Sequence, residues 1–269
     1  MTDRLIDKKV SADEHIAWLT LNRPQKKNAL SEALMNVLIA DLKEISENTD
    51  IHVIVLSGAG DTFCSGLDLY DLRADNERPH RWGRGGSTPE IVHLLRTAPQ
   101  VTIAAVQGYC LGGGLVLVNG CDLAVAADTA NLGMPEILRG SYGAVATPTL
   151  FHSGIPNKLA FHIQLTGRNL SGTEAARCGL VSQVAPEADL TRAVDDLARD
   201  IAKRHPVTLA HAKIAAYSAR DLPFQQAMQA DELISHRMRF YMDPLADVGG
   251  YLKSQKGGNN VAYKRPDVK

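Results

Sequence analysis

The sequence predicts an α/β core that gives way to a helical C-terminal third. Three observations lead there. Short β-branched runs recur along the first half, IHVIVLSG at 51–58, VTIAAVQG at 101–108 and DLAVAAD at 122–128, as buried strands should read. Between them lie stretches whose apolar residues recur at helical spacing. From Pro156 onward the strand pattern fades and the helical period takes over.

The elements follow in order. HIAWLTL (15–21) alternates as a strand, and Ser31 is a predicted N-cap for a helix carrying Leu34, Leu38, Leu42 and Ile45 on one face. The strand 51–58 follows. Residues 73–90 are polar, hold Arg73, Arg78, Arg81, Arg84 and a Gly85-Gly86-Ser87 run, and predict a mobile loop. After the strand 101–108, LGGGLVLVNG (111–120) predicts an apolar helix opened by glycine, and 122–128 returns to strand. Ser171-Gly-Thr-Glu174 has the form of a capping box. The segment 189–205 keeps Leu190, Val194, Leu197 and Ile201 on one stripe, and 206–219 and 223–242 predict two more helices.

Composition narrows the function. At 269 residues, 45% hydrophobic and 22% charged, the chain can bury a large core without metal or disulfide support. A net charge of −1 leaves no global attraction to nucleic acid or an anionic membrane, so any pull on a phosphorylated ligand must be local. Cys64, Cys110, Cys121 and Cys178 form no CxxC pair and no zinc spacing. The N-terminus lacks an apolar signal core and no run reaches 18 apolar residues, which predicts a protein with no membrane partner that is cytoplasmic or in the lumen of an organelle reached without a visible signal.

Two backbone devices stand out. Gly112-Gly113-Gly114 follows a strand and opens a helix, where glycine lets a ligand approach free N–H groups at a positive helix end. A tight helix–sheet contact is the other reading of the same glycines. The second device is Phe63-Cys64-Ser65-Gly66-Leu67-Asp68, again just after a strand. One N–H from each segment, converging on a carbonyl oxygen, would make an oxyanion hole.

LNRPQKKNALS, DTFCSGLDL, IAAVQGYCLGGGLVL, CDLAVAADTANLGMPEI and LTGRNLSGTEAARCGLVSQV resemble, in order and spacing, the motifs of the crotonase (enoyl-CoA hydratase/isomerase) superfamily. The likeness is close over residues 10–185 and looser in the helical tail. It implies a spiral of ββα units, with residues 1–200 as the CoA-binding and catalytic core and 201–269 as a helical trimerisation region. It implies an acyl-CoA thioester as substrate, a homotrimer or dimer of trimers, and no cofactor beyond the coenzyme A moiety itself.

By that resemblance the thioester oxygen is held by the backbone N–H groups of Leu67 and Gly113. Ser65, Gly66, Leu67, Asp68, Gly112 and Gly113 lie along the coenzyme A, with Leu30 on its adenine side. Lys26 or Lys27 reaches the phosphates, unless both lysines are only part of a solvated turn. Glu136 is the acid that moves protons at the carbon alpha to the thioester. Hydratases of the family carry a further glutamate two residues after the glycine run, where this chain has Val116. Tyr142 either lends a hydroxyl to the acyl pocket beside Val116 or packs in the core. Arg139 either pairs with an anionic substrate or forms a surface ion pair, and Arg81 and Arg84 carry the same ambiguity. His152 and His162 read as structural or surface residues. Phe240 and Tyr241 suit a contact with a neighbouring subunit, and Lys256 falls near a basic position that touches coenzyme A in relatives. One retained and one missing glutamate imply enoyl-CoA isomerisation or a related enolate reaction. Hydration, thioester hydrolysis, decarboxylation and acyl-CoA binding without turnover are the alternatives.

Overall fold

The computed structural model describes residues 4–71 and 87–242. A six-stranded sheet runs in the order β1-β2-β3-β4-β6-β9, with β1 (Ile6–Ser11), β2 (Ile16–Leu21), β3 (Val53–Gly58), β4 (Val101–Val106), β6 (Leu123–Ala127) and β9 (Gln183–Ala185). Only the β1–β2 pair is antiparallel; every other neighbouring pair in this sheet is parallel. β3 and β4 are apolar almost throughout because both faces are covered, and all six residues of β4 are buried. A second sheet joins β5 (Tyr109–Leu111), β7 (Asn131–Gly133) and β8 (Leu170–Ser171).

Two predicted caps are present. Ser31 accepts a hydrogen bond from the Leu34 N–H at the start of α1 (Glu32–Ser46). Ser171 and Glu174 form both bonds of the capping box at the start of the helix Gly172–Cys178. The predicted loop 73–90 falls mostly outside the described residues. Its last part is helical: α2 begins at Ser87 and runs to Thr97 with Ile91 and Leu95 fully buried, a stripe too short to read beneath the polar residues around it.

The C-terminal helices Leu190–Ala202, Pro206–Asp221 and Phe224–Met238 sit close to their predicted ranges. Lys213 anchors the middle one to the core. Its buried Nζ donates to the Leu95 and Gln100 carbonyls and meets the Asp122 carboxylate, each at 2.8 Å. Tyr217 donates its hydroxyl to the other Asp122 oxygen at 2.8 Å. Burial pulls the Lys213 ammonium down and pushes the Tyr217 phenol up, and Asp122 partly offsets the first while reinforcing the second.

The connection between β2 and α1 is tied by Asn28, which is fully buried with φ near +52°. Its Nδ2 donates to the Ala59 and Thr62 carbonyls at 2.9 and 2.6 Å, and its Oδ1 accepts from the Arg23 N–H at 2.9 Å. Few side chains tolerate that φ, and asparagine is one of them. Replacement Asn28→Ala should cost roughly 3 kcal/mol in urea unfolding, since one buried and two part-buried partners lose their bonds. An unfolding midpoint equal to wild type would show that this connection does not depend on the Asn28 amide.

Candidate active site

The segment after β3 is clamped on both sides. Phe63 and Cys64 N–H groups donate to the Gln107 and Tyr109 carbonyls at 2.8 and 2.9 Å, and Leu111 N–H donates back to Cys64 at 3.0 Å. On the opposite flank, Ser65 N–H donates to Lys27 at 3.0 Å, Leu30 N–H to Gly66 at 2.8 Å, and Asp68 N–H to Leu30 at 3.0 Å. Leu30 and Leu67 therefore form a parallel bridge in which Leu30 spends both of its backbone groups on the neighbours of Leu67. The Leu67 N–H is thus turned away from Leu30. Among the described residues it has no acceptor.

Gly113 opens α3 (Gly113–Gly120), so its N–H is one of the four that a helix start leaves without an internal acceptor. It too has none among the described residues. A Cβ placed on Gly113 would lie 3.3 Å from Leu67 N, and one on Gly66 would lie 3.6 Å from Gly113 N. With a backbone N only about 2.5 Å from its own Cβ, the two amide nitrogens lie within about 6 Å of each other. One oxygen can reach both.

Glu136 occupies the 3-10 turn Pro135–Arg139, which starts on a proline and ends on a left-handed Gly140. Its carboxyl group lies against Gly112: a Cβ there would stand 2.4 Å from Glu136 Oε1. Gly112 also has φ near +51°, so both space and backbone demand glycine. Glu136 Oε2 is buried and has no hydrogen-bond partner among the described residues. A bare buried carboxylate oxygen is costly, and it marks a group held for something other than stability.

A cleft of about 340 Å³ opens beside the amides, lined by Lys26, Lys27, Ser65, Leu67, Tyr109 and Arg139 among others. Lys26 stands over the Tyr70 ring at 5.5 Å and Lys27 over the Tyr109 ring at 4.8 Å. A larger cavity of about 500 Å³ lies behind α3, at Val118, Asn119 and the Asp122–Lys213 pair, and shares no residue with the amide cleft. The site belongs to the smaller cleft, which holds an unpaired amide.

The remaining expected site residues are placed as follows. Leu30 is buried and packs its Cδ1 toward Gly113, forming a wall of the amide site rather than the open cleft. Asp68 borders the cleft, but its carboxylate is committed to Arg23 at 3.0 Å. Burial would push that carboxyl up, yet Arg23 and the Tyr70 and Asp71 N–H groups hold it below the usual range. Val116 is buried in the core one turn into α3, and Tyr142 is 63% exposed, so it is not a core aromatic; neither lines the cleft. Arg139 does line it, and His152 and His162 are at the surface. Phe240 and Tyr241 are exposed, whereas Arg81, Arg84 and Lys256 lie outside the described residues.

Sequence reasoning missed Arg23 and Asn28, which hold the lysine-bearing turn, and the two tyrosines beneath the lysines. The signal was present in Asn-Arg-Pro followed by Asn28: polar residues between a strand and a capped helix that must be satisfied when buried.

The profile described as "Enoyl-CoA hydratase/isomerase" matches residues 11–239. The chain is 32% identical over 222 residues to hydroxycinnamoyl-CoA hydratase-lyase of Pseudomonas fluorescens, covering 81% of this chain and 80% of that one. It is 33% identical over 227 residues to Delta(3,5)-Delta(2,4)-dienoyl-CoA isomerase of Rattus norvegicus, covering 78% and 68%. The crystal structure of enoyl-CoA hydratase of Mycobacterium smegmatis superposes with a TM-score of 0.86 at 27% identity, covering 94% and 97%.

The Arg23–Asp68 pair has a pH consequence. Because folding lowers the Asp68 pKa, its contribution is complete above the unfolded value near 3.9 and is lost as pH falls toward the folded value. Asp68→Asn should reduce stability at pH 7 and flatten the acid limb below about pH 4. An acid limb identical to wild type, followed by circular dichroism, would contradict the pairing.

Proposed function

Because the chain belongs to the enoyl-CoA hydratase/isomerase family, we propose that it turns over an acyl-CoA thioester by single-carboxylate enolate chemistry, with Δ3 to Δ2 enoyl isomerisation as the reaction. The observation that carries this reading is the buried, unbonded Oε2 of Glu136, held against Gly112 beside two unpaired amides.

In the proposed step, the thioester oxygen accepts hydrogen bonds from Leu67 N–H and Gly113 N–H. Glu136 removes a proton from C2 of a 3-enoyl thioester, and the electron pair moves through the carbonyl to oxygen, forming a dienolate. The carboxylic acid so formed, whose proton exchanges with solvent, returns a proton to C4, and the double bond comes to rest between C2 and C3. Atoms and electrons balance without any group beyond the coenzyme A of the substrate. Preorganised amides of this kind are worth about 10²- to 10³-fold each, and a positioned base about 10²- to 10⁴-fold.

Val116 supports one carboxylate over two. The side chain there is apolar and buried, so it offers no oxygen to hold a water molecule. The relatives' names cover both hydratases and isomerases, so the family alone leaves the choice between them to this residue. Lys26 and Lys27, with Tyr70 and Tyr109 beneath them, supply the local positive charge that a near-neutral chain needs to attract a phosphorylated carrier.

The test uses 3-hexenoyl-CoA in D₂O, followed by ultraviolet absorbance and NMR. Wild type should form the 2-enoyl thioester, with deuterium entering at C2 or C4. Glu136→Gln should fold normally and lose about 10²- to 10⁴-fold in turnover. Retained turnover in Glu136→Gln, or a 3-hydroxyacyl product in place of the isomer, would sink the proposal.

A further inference from the structure

The charges of the cleft are unequal. Among its described lining residues Asp68 is the sole acid, and Arg23 occupies it. Lys26, Lys27 and Arg139 border the same space, and none of the three has a carboxylate partner among the described residues. The lysines belong to the first strand–helix connection. Arg139 comes from elsewhere, the 3-10 turn that carries Glu136.

That shared turn sets their relation. In a 3-10 helix, residues three apart eclipse one another and each residue rises about 2 Å. Arg139 therefore stands on the same face as Glu136, about 6 Å further along the turn axis. Arg139 is exposed and lines the cleft that opens beside Leu67, so its guanidinium borders the space a bound thioester would enter. Arginine presents a planar fork of donors that matches a carboxylate with two parallel hydrogen bonds.

We propose that Arg139 selects acyl-CoA thioesters whose acyl chain ends in a carboxylate, the guanidinium holding that end while the thioester oxygen sits between Leu67 and Gly113. This rests on the acyl-CoA reading above and adds the class of acyl group. A neutral acyl chain leaves the guanidinium solvated; a diacid chain neutralises it.

Calorimetric titration of the full chain with butyryl-CoA and glutaryl-CoA tests this, since both are saturated and inert to double-bond migration. Wild type should bind glutaryl-CoA roughly tenfold more tightly, the worth of a hydrogen bond to a charged group. Arg139→Gln should bring the two affinities toward equality, and Arg139→Lys should retain part of the difference. Equal affinities in wild type overturn the proposal. So does an Arg139→Gln protein that binds both esters more weakly by one common factor, which would make Arg139 a contact to the shared coenzyme A. If wild type binds neither ester, the acyl-CoA reading itself falls.

Discussion

The site depends on one constraint: residues 63–68 are hydrogen-bonded along both edges at once. Tyr109 and Leu111 hold one edge, and Lys27 and Leu30 hold the other. A backbone gripped on both sides cannot relax to satisfy a leftover donor internally. The Leu67 amide is left over because the parallel bridge with Leu30 uses the groups on either side of it. The Gly113 amide is left over for a different reason, the geometry of a helix start. Two unrelated backbone rules thus place two unpaired N–H groups next to one another, with no side chain involved. Removing either clamp would let these donors find internal acceptors.

Glu136 shows a similar economy. Gly112 and Gly143 leave room for its carboxyl group, since a Cβ at either would stand within 3.4 Å of Oε1. Leaving Oε2 buried without a donor costs about 1–3 kcal/mol or more. The surrounding structure tolerates that cost because the 3-10 turn is pinned by Pro135 at one end and Gly140 at the other. A rigid turn holding an unsatisfied acid next to unsatisfied amides is the arrangement that enolate chemistry requires.

Charge is distributed with the same economy. The whole chain is close to neutral, yet two carboxylates outside the Glu136 site are already paired: Asp68 by Arg23, and the half-buried Asp122 by Lys213 and Tyr217. The first pair fixes the lysine-bearing turn and the second fixes a C-terminal helix to the core. With Asp68 silenced, the cations at the cleft have no unpaired acidic neighbour among its described lining residues. A modest net charge and a strongly cationic site are therefore compatible.

Much of this was legible in the amino-acid sequence, because it depends on local rules. The apolar runs of β3 and β4, the serine caps at Ser31 and Ser171, and the glycine-opened helix at 113–120 each carry their own signal over a few residues. The ordered motifs group Leu67, Gly113 and Glu136 as one candidate site, and the absence of an acid at Val116 is visible directly. Tertiary structure alone decided the rest. That Asp68 faces Arg23 rather than a ligand, that Tyr142 stays outside the core, and that Arg139 borders the cleft all depend on partners distant in sequence. β5 and β7 were missed for the same reason: three-residue strands have no readable period, and only pairing with each other makes them strands. Local periodicity records which face an element buries. What stands opposite that face is a property of the folded chain.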